Sequence, residues 1–112
     1  MKIWHNNRCS KSRCAVEILS EKGIEFEEYK YLDNPPNVKE ITDILKKLGI
    51  EAKDLIRKGE PDFKANFKGK ELSEKEWIDA MVKFPKLIER PIFVNGDKAV
   101  IGRPPERVLE IA

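Results

Sequence analysis

Apolar residues along this chain fall into short runs whose period switches between two and about three and a half. The first run, Lys2-Ile3-Trp4, ends at His5 and predicts an opening strand. Ala15, Ile18 and Leu19 then share one helical face, and Gly23 stands where a left-handed C-terminal cap belongs, so a helix beginning near Ser12 is expected. The stretch IEFEEYKY, Ile24 to Tyr31, alternates like a second strand. Its alternation shifts partway, with Ile24 and Phe26 on one face and Tyr29 and Tyr31 on the other, which points to a bulge or an edge position. Asn34-Pro35-Pro36 stops it.

Asn37 and Glu40 have the spacing of a capping box and open a helix whose predicted apolar face is Val38, Ile41, Ile44, Leu45 and Leu48, closed by Gly49. A short helical turn is expected around Asp54 to Lys58. Gly59 to Leu72 shows little periodicity and reads as loop. Ser73 with Glu76 starts a further helix, with Trp77, Ile78, Met81 and Val82 facing inward. Pro91-Ile92-Phe93-Val94, then Asn95-Gly96-Asp97, then Lys98-Ala99-Val100-Ile101 predict a hairpin with an Asn-Gly turn. Pro104-Pro105 suits the first turn of a last helix through Leu109 and Ile111. The order is βαβ, two or three helices, then a hairpin and a helix. A βαβ unit and a ββα unit sharing one sheet make an α/β sandwich that resembles the thioredoxin arrangement, with a helical insert from about residue 37 to 86.

At 112 residues the chain is expected to form a single domain, 1–112, with a modest core. Charged residues make up 38% of it, but 22 basic against 20 acidic side chains leave a net charge of only +2. The two signs are interleaved, so direct nucleic-acid binding is not expected. No apolar run reaches the length of a membrane span, and MKIWHNN lacks the apolar stretch of a signal peptide. A cytoplasmic protein with no membrane partner is expected, in a compartment that keeps thiols reduced. Two cysteines and one histidine make neither a disulfide framework nor a zinc site, so no metal is expected. A monomer is expected, since no apolar repeat marks an interface.

HNNRCSKSRC, residues 5 to 14, gathers both sulfurs, the one histidine and three cationic side chains. Cys9 falls just ahead of the predicted helix. A thiol there meets the positive end of the helix dipole and unpaired backbone N–H groups, which favour the thiolate, and Arg8, Lys11 and Arg13 add positive charge. Such a position also accepts oxyanions. On a continuous helix Cys14 would stand about 7.5 Å along the axis and about 140° around it from Cys9. That is a poor fit to a disulfide, whose Cα atoms rarely lie more than about 7 Å apart. Packing beside Ile18 as a small apolar residue is the plainer reading of Cys14, with a resolving thiol as the alternative. A phosphatase loop, with five residues between cysteine and arginine, is absent: the matching positions hold Ala15 and Ser20.

Four blocks in order resemble the glutaredoxin-coupled arsenate reductases, the ArsC family of thioredoxin-like proteins. They are His5-Asn6 with Cys9-Ser10-Lys11-Ser12-Arg13, then Leu55-Ile56-Arg57-Lys58, then Ile88-Glu89-Arg90-Pro91-Ile92, then Ile101-Gly102-Arg103-Pro104-Pro105-Glu106. The resemblance implies that Cys9 is the catalytic cysteine and that Arg57, Arg90 and Arg103 bind the oxyanion and stabilise its charge. It implies that Ser12 lies near the catalytic sulfur and that His5 favours its thiolate, with Arg13 adding to that support. It also implies a cis Arg90-Pro91 bond beside the cysteine. Three guanidiniums offer forked donors suited to a tetrahedral oxyanion.

The implied reaction is reduction of arsenate to arsenite through a covalent thiol–arsenate intermediate. Glutathione is the co-substrate and glutaredoxin the partner, and no cofactor is bound. Two positions depart from the pattern: Asn7 stands where many relatives have proline, and Cys14 occupies a position not normally cysteine. Two other readings stay open. One is a non-enzymatic Spx-type regulator, although Ser12 stands where the second cysteine of that CxxC switch would be. The other is a general thiol-disulfide oxidoreductase.

Overall fold

The computed structural model describes residues 1–112 in two units, Met1–Asn34 with Arg90–Ala112, and Pro35–Glu89. In the first, strand β1 (Lys2–Trp4) leads into helix α1 (Ser10–Glu21) and strand β2 (Glu27–Tyr29). The hairpin β3 (Ile92–Asn95) and β4 (Lys98–Ile101) follows after the second unit. The sheet order is β2-β1-β3-β4, with β1 parallel to β2 and antiparallel to β3. Ile3 lies opposite Glu28 on one side and Phe93 on the other.

Ile3 and Phe93 are fully buried and join Ala15, Leu19, Val100 and Val108 in one apolar cluster. Removing such a side chain from water contributes about 1.5–3 kcal/mol, so this cluster is what fixes α1 against the sheet. The buried positions of α1 are Ser12, Ala15 and Leu19, a stripe at helical spacing. Cys14 flanks that stripe and is exposed, so it does not pack in the core as the plainer sequence reading expected.

Several local expectations are corrected. The helix begins at Ser10, not near Ser12, because Cys9 itself takes the cap position. β2 is three residues long rather than eight: it is an edge strand, and Ile24 and Phe26 turn toward the apolar cluster before pairing begins at Glu27. The hairpin's two loop residues are Gly96 and Asp97, since Asn95 still pairs with Lys98. Gly96, at φ +64°, supplies the one left-handed position that a Gly-first two-residue turn demands. The C-terminal segment Pro105–Glu110 is a 3₁₀ rather than an α-helix. Leu109 in this segment is exposed, while Val108 is fully buried.

The second unit is helical: α2 (Val38–Leu48), a 3₁₀ turn (Ala52–Leu55), α3 (Pro61–Asn66), α4 (Glu74–Lys83) and a 3₁₀ turn (Pro85–Leu87). Both expected capping boxes form, Asn37 with Glu40 and Ser73 with Glu76, and Gly49 caps α2. Ile41, Ile44 and Leu45 of α2 and Trp77, Ile78 and Met81 of α4 are buried. Val38 is exposed instead, because the first residue after the cap faces outward, and Val82 is half-buried. α3 lies inside the stretch read as loop. Six residues cannot display a helical period, but Pro61 at its first position is a start signal. An isolated antiparallel bridge between Ile56 and Ile88 is flanked by hydrogen bonds from Arg57 N–H to Leu87 C=O (2.7 Å) and from Glu89 N–H to Leu55 C=O (2.8 Å). It anchors the backbone of Arg57.

Candidate active site

β1 ends at Trp4, and the chain turns through His5 to Arg8 before α1 starts. Cys9 is the N-cap of α1, with extended backbone (φ −92°, ψ 122°) and no hydrogen bond from its side chain to the first turn. Its N–H donates to Asn6 C=O (3.0 Å), and its own carbonyl accepts from Arg13 N–H (3.0 Å). No acidic residue stands in the first turn of α1. The half-buried sulfur is therefore carried at a positive helix end that no first-turn carboxylate neutralises.

Arg103 reaches that sulfur from the far end of β4. Its Nη2 stands 3.8 Å from Cys9 Sγ, and its Nε–H donates to Arg90 C=O at 2.8 Å. One guanidinium thus spans the cysteine and the backbone ahead of Pro91. This closeness depends on Gly102. A Cβ there would come within 2.8 Å of Pro91 Cγ and 3.2 Å of Val108 Cγ1, while Gly102 N–H donates to Pro91 C=O at 2.8 Å. The implied Arg90-Pro91 cis bond is present, and Arg103-Pro104 is cis as well. Arg90 is half-buried.

Arg57 belongs to the second unit, where Glu60 accepts from its Nη1 at 2.9 Å and Glu89 lies 3.5 Å from its Nε. Arg13 donates from Nη1 to Asn7 C=O at 2.9 Å, so it clips the loop ahead of Cys9. Neither His5 nor Ser12 bonds to the sulfur. Ser12 is fully buried, and its Oγ lies 2.7 Å from His5 Nδ1 and accepts from Asn6 N–H at 3.0 Å. His5 sits below its ordinary pKa of 6.5, chiefly because burial disfavours its charged form. Glu28 opposes that shift, while Lys30 and Arg13 add to it. Cys9 and Cys14 are both free thiols.

Sequence reasoning did not single out Asn6, Gly102 or Glu28. Asn6 holds the loop twice, its carbonyl on Cys9 N–H and its Oδ1 on Arg8 N–H (3.0 Å). An Asx residue opening a turn is a signal that could have marked it. Gly102 and Glu28 matter through contacts distant in the chain and carry no local mark.

No cluster of three or more His, Cys, Asp or Glu side chains here could hold a metal ion, and no helix is long and apolar enough to cross a membrane. A parallel β1-β2 pair, a β3-β4 hairpin and a cysteine at the N-terminus of the intervening helix define a thioredoxin-like protein. The chain belongs to the ArsC family, whose model matches residues 4–111. It is 50% identical over 113 residues to the uncharacterized protein YfgD of Escherichia coli K12, covering 99% of this chain and 95% of that one. It is 45% identical over 111 residues to an arsenate reductase of Haemophilus influenzae, covering 97% and 96%. Among solved structures it is similar to the arsenate reductase from Vibrio cholerae, at a TM-score of 0.94 and 41% identity, covering 100% of this chain and 98% of that one.

Proposed function

We propose that this protein is an arsenate reductase that uses Cys9 as its nucleophile, with glutathione and glutaredoxin supplying electrons. The observation that carries the reading is the uncapped cysteine at the start of α1 with the Arg103 guanidinium 3.8 Å from its sulfur. A nucleophile and an oxyanion-binding position coincide there, and relatives that match over almost the full chain bear the name arsenate reductase. Arsenate binds to the helix N–H groups and to Arg103 and Arg90.

The Cys9 thiolate attacks arsenic, one arsenate oxygen leaves as water, and a sulfur–arsenic bond forms. The arginines stabilise the charge throughout. Glutathione then displaces a second arsenate oxygen, which leaves as water, and a second sulfur–arsenic bond forms. A glutaredoxin thiol then takes the glutathione sulfur as a mixed disulfide, two electrons remain on arsenic, and water releases arsenite from Cys9. No metal or organic cofactor takes part, and the reading places a monomer in the cytoplasm.

The test is arsenate-dependent NADPH oxidation with glutathione, glutaredoxin and glutathione reductase. Parent protein is expected to turn over and Cys9→Ser to fall to background, while Cys14→Ser retains activity if that thiol takes no part. Absence of turnover in the parent with every thiol partner supplied would overturn the reading.

A further inference from the structure

We infer that His5 is a positioning residue: a neutral imidazole, hydrogen-bonded through Ser12 to Asn6, that sets the loop carrying Cys9. The inference rests on the reading of Cys9 as the reacting sulfur, but its geometry is independent of arsenate. A serine hydroxyl has one proton to give and two lone pairs to receive with. One lone pair of Ser12 Oγ takes the Asn6 N–H, at 3.0 Å. The other partner of Oγ is His5 Nδ1, at 2.7 Å. Ser12 is fully buried, so its own proton needs an acceptor, and Nδ1 is the one it has. The hydroxyl therefore donates to Nδ1, and the ring proton sits on Nε2, which is turned toward Glu28 Oε1 at 3.8 Å.

This arrangement joins both ends of the active loop. Ser12 lies in the first turn of α1, and Asn6 lies where the chain leaves β1, so the hydroxyl staples one to the other across residues 7–11. The carbonyl of Asn6 in turn accepts the Cys9 N–H at 3.0 Å. Movement at His5 is thereby passed to the cap position through three hydrogen bonds. The backbone of His5 is itself held from the other side, because its main-chain N–H donates to Tyr29 C=O at 2.9 Å, extending the β1-β2 pairing.

The device is sensitive to acid. Protonating His5 puts a hydrogen on Nδ1, which forces Ser12 Oγ to accept twice and leaves its own proton without an acceptor. The charged groups facing the ring are Glu28 and Lys30 from the β2 side and Arg13 from α1. Glu28 favours the charged ring, but burial, Lys30 and Arg13 disfavour it, and the balance is on the neutral side. The folded-state pKa is lowered, so the stability held by this contact is present above about 6.5 and is lost as pH falls through the folded value.

The ring-nitrogen NMR spectrum of the parent protein at pH 7.5 is the first test, and His5→Leu and His5→Asn with arsenate kinetics are the second. The spectrum is expected to show a protonated Nε2 and an accepting Nδ1; an imidazolium, or a proton on Nδ1, would overturn the inference. His5→Leu is expected to lower kcat roughly ten- to a hundred-fold and to speed amide exchange at Asn6 and Cys9. His5→Asn, whose Oδ1 can accept from Ser12, is expected to restore most of the rate and protection. If the histidine worked by charge, asparagine would fare no better than leucine. Amide exchange and the spectrum are read without arsenate, so a parent lacking turnover but showing both signatures would sink the reductase reading and leave this one standing.

Discussion

At α2 and α4 the first turn closes on itself. Asn37 Oδ1 accepts from Glu40 N–H (2.8 Å) and Ser73 Oγ from Glu76 N–H (3.2 Å), while each glutamate reaches back to the N–H of its cap residue. The carboxylates also sit against the positive helix ends. At α1 the same two positions are filled by Cys9 and Ser12. The cysteine makes no side-chain cap bond, and Ser12, where the other helices have glutamate, turns inward to His5 and Asn6. In α2 and α4 the cap side chains satisfy donors of the helix's own first turn. In the helix that carries the sulfur, no side-chain cap bond and no carboxylate occupies that end.

Replacing Arg103 by lysine tests that contrast most severely. Lysine keeps the charge but cannot reach Cys9 Sγ and Arg90 C=O with two donors of one planar fork. A loss of about 10²-fold in kcat/KM for arsenate is expected in the coupled assay, with the melting temperature nearly unchanged. Breaking the cap of α4 with Ser73→Ala should do the reverse, costing about 1 kcal/mol of stability in urea unfolding while leaving turnover alone. A lysine variant with the parent's kcat/KM would show that the guanidinium near the sulfur is not used.

A smaller effect comes from making α1 resemble its neighbours in sequence. Lys11→Glu puts an acid into a first turn that has none. Helix stability should rise by about 0.3–1 kcal/mol, because a carboxylate suits a helix N-terminus. KM for arsenate should rise several-fold, because the same carboxylate repels an oxyanion at about Debye-length range or closer. Stabilisation without any rise in KM would mean that the open end of α1 is not where the anion binds.

This contrast also marks what was readable in the chain. Capping boxes and a C-cap glycine are local, so α2 and α4 could be placed from Asn37, Glu40, Gly49, Ser73 and Glu76 alone. The start of α1 reads two residues late from sequence, because cysteine is not among the preferred cap residues and gives no start signal. The hairpin was legible, but its turn slipped by one residue: both Asn-Gly and Gly-Asp suit a two-residue loop, and only the pairing of Asn95 with Lys98 decides. Cys9 stood out through its charged neighbours. Its contact with Arg103 spans 94 positions, and no periodicity reaches that far; the family resemblance identified Arg103, not the contact. The tie between His5 and Ser12 was invisible for a related reason. It joins a strand end to a helix turn seven positions on and shares no face with either element.

The smallest expected effect is a carboxylate titration in the first turn of α4, which the first turn of α1, having no acidic residue, cannot show. Glu76 lies below its ordinary pKa of 4.5, because the Ser73 backbone N–H and then the Ser73 side chain hold its charged form. A lowered folded-state value means the contribution is complete above 4.5 and fades as pH falls through the lower value in the folded chain. Glu76→Gln keeps an acceptor for Ser73 N–H but cannot titrate and has less attraction for the helix dipole. The parent should therefore be slightly more stable than the variant near neutrality, and the gap should close as pH falls below 4.5 and through the lowered folded-state value. Urea unfolding followed by tryptophan fluorescence measures this, since carboxylates shared by the two proteins cancel in the difference. A gap independent of pH would assign the glutamine's cost to geometry. The self-neutralised helix end would then be a matter of shape rather than charge, and the contrast with α1 would rest on hydrogen bonds alone.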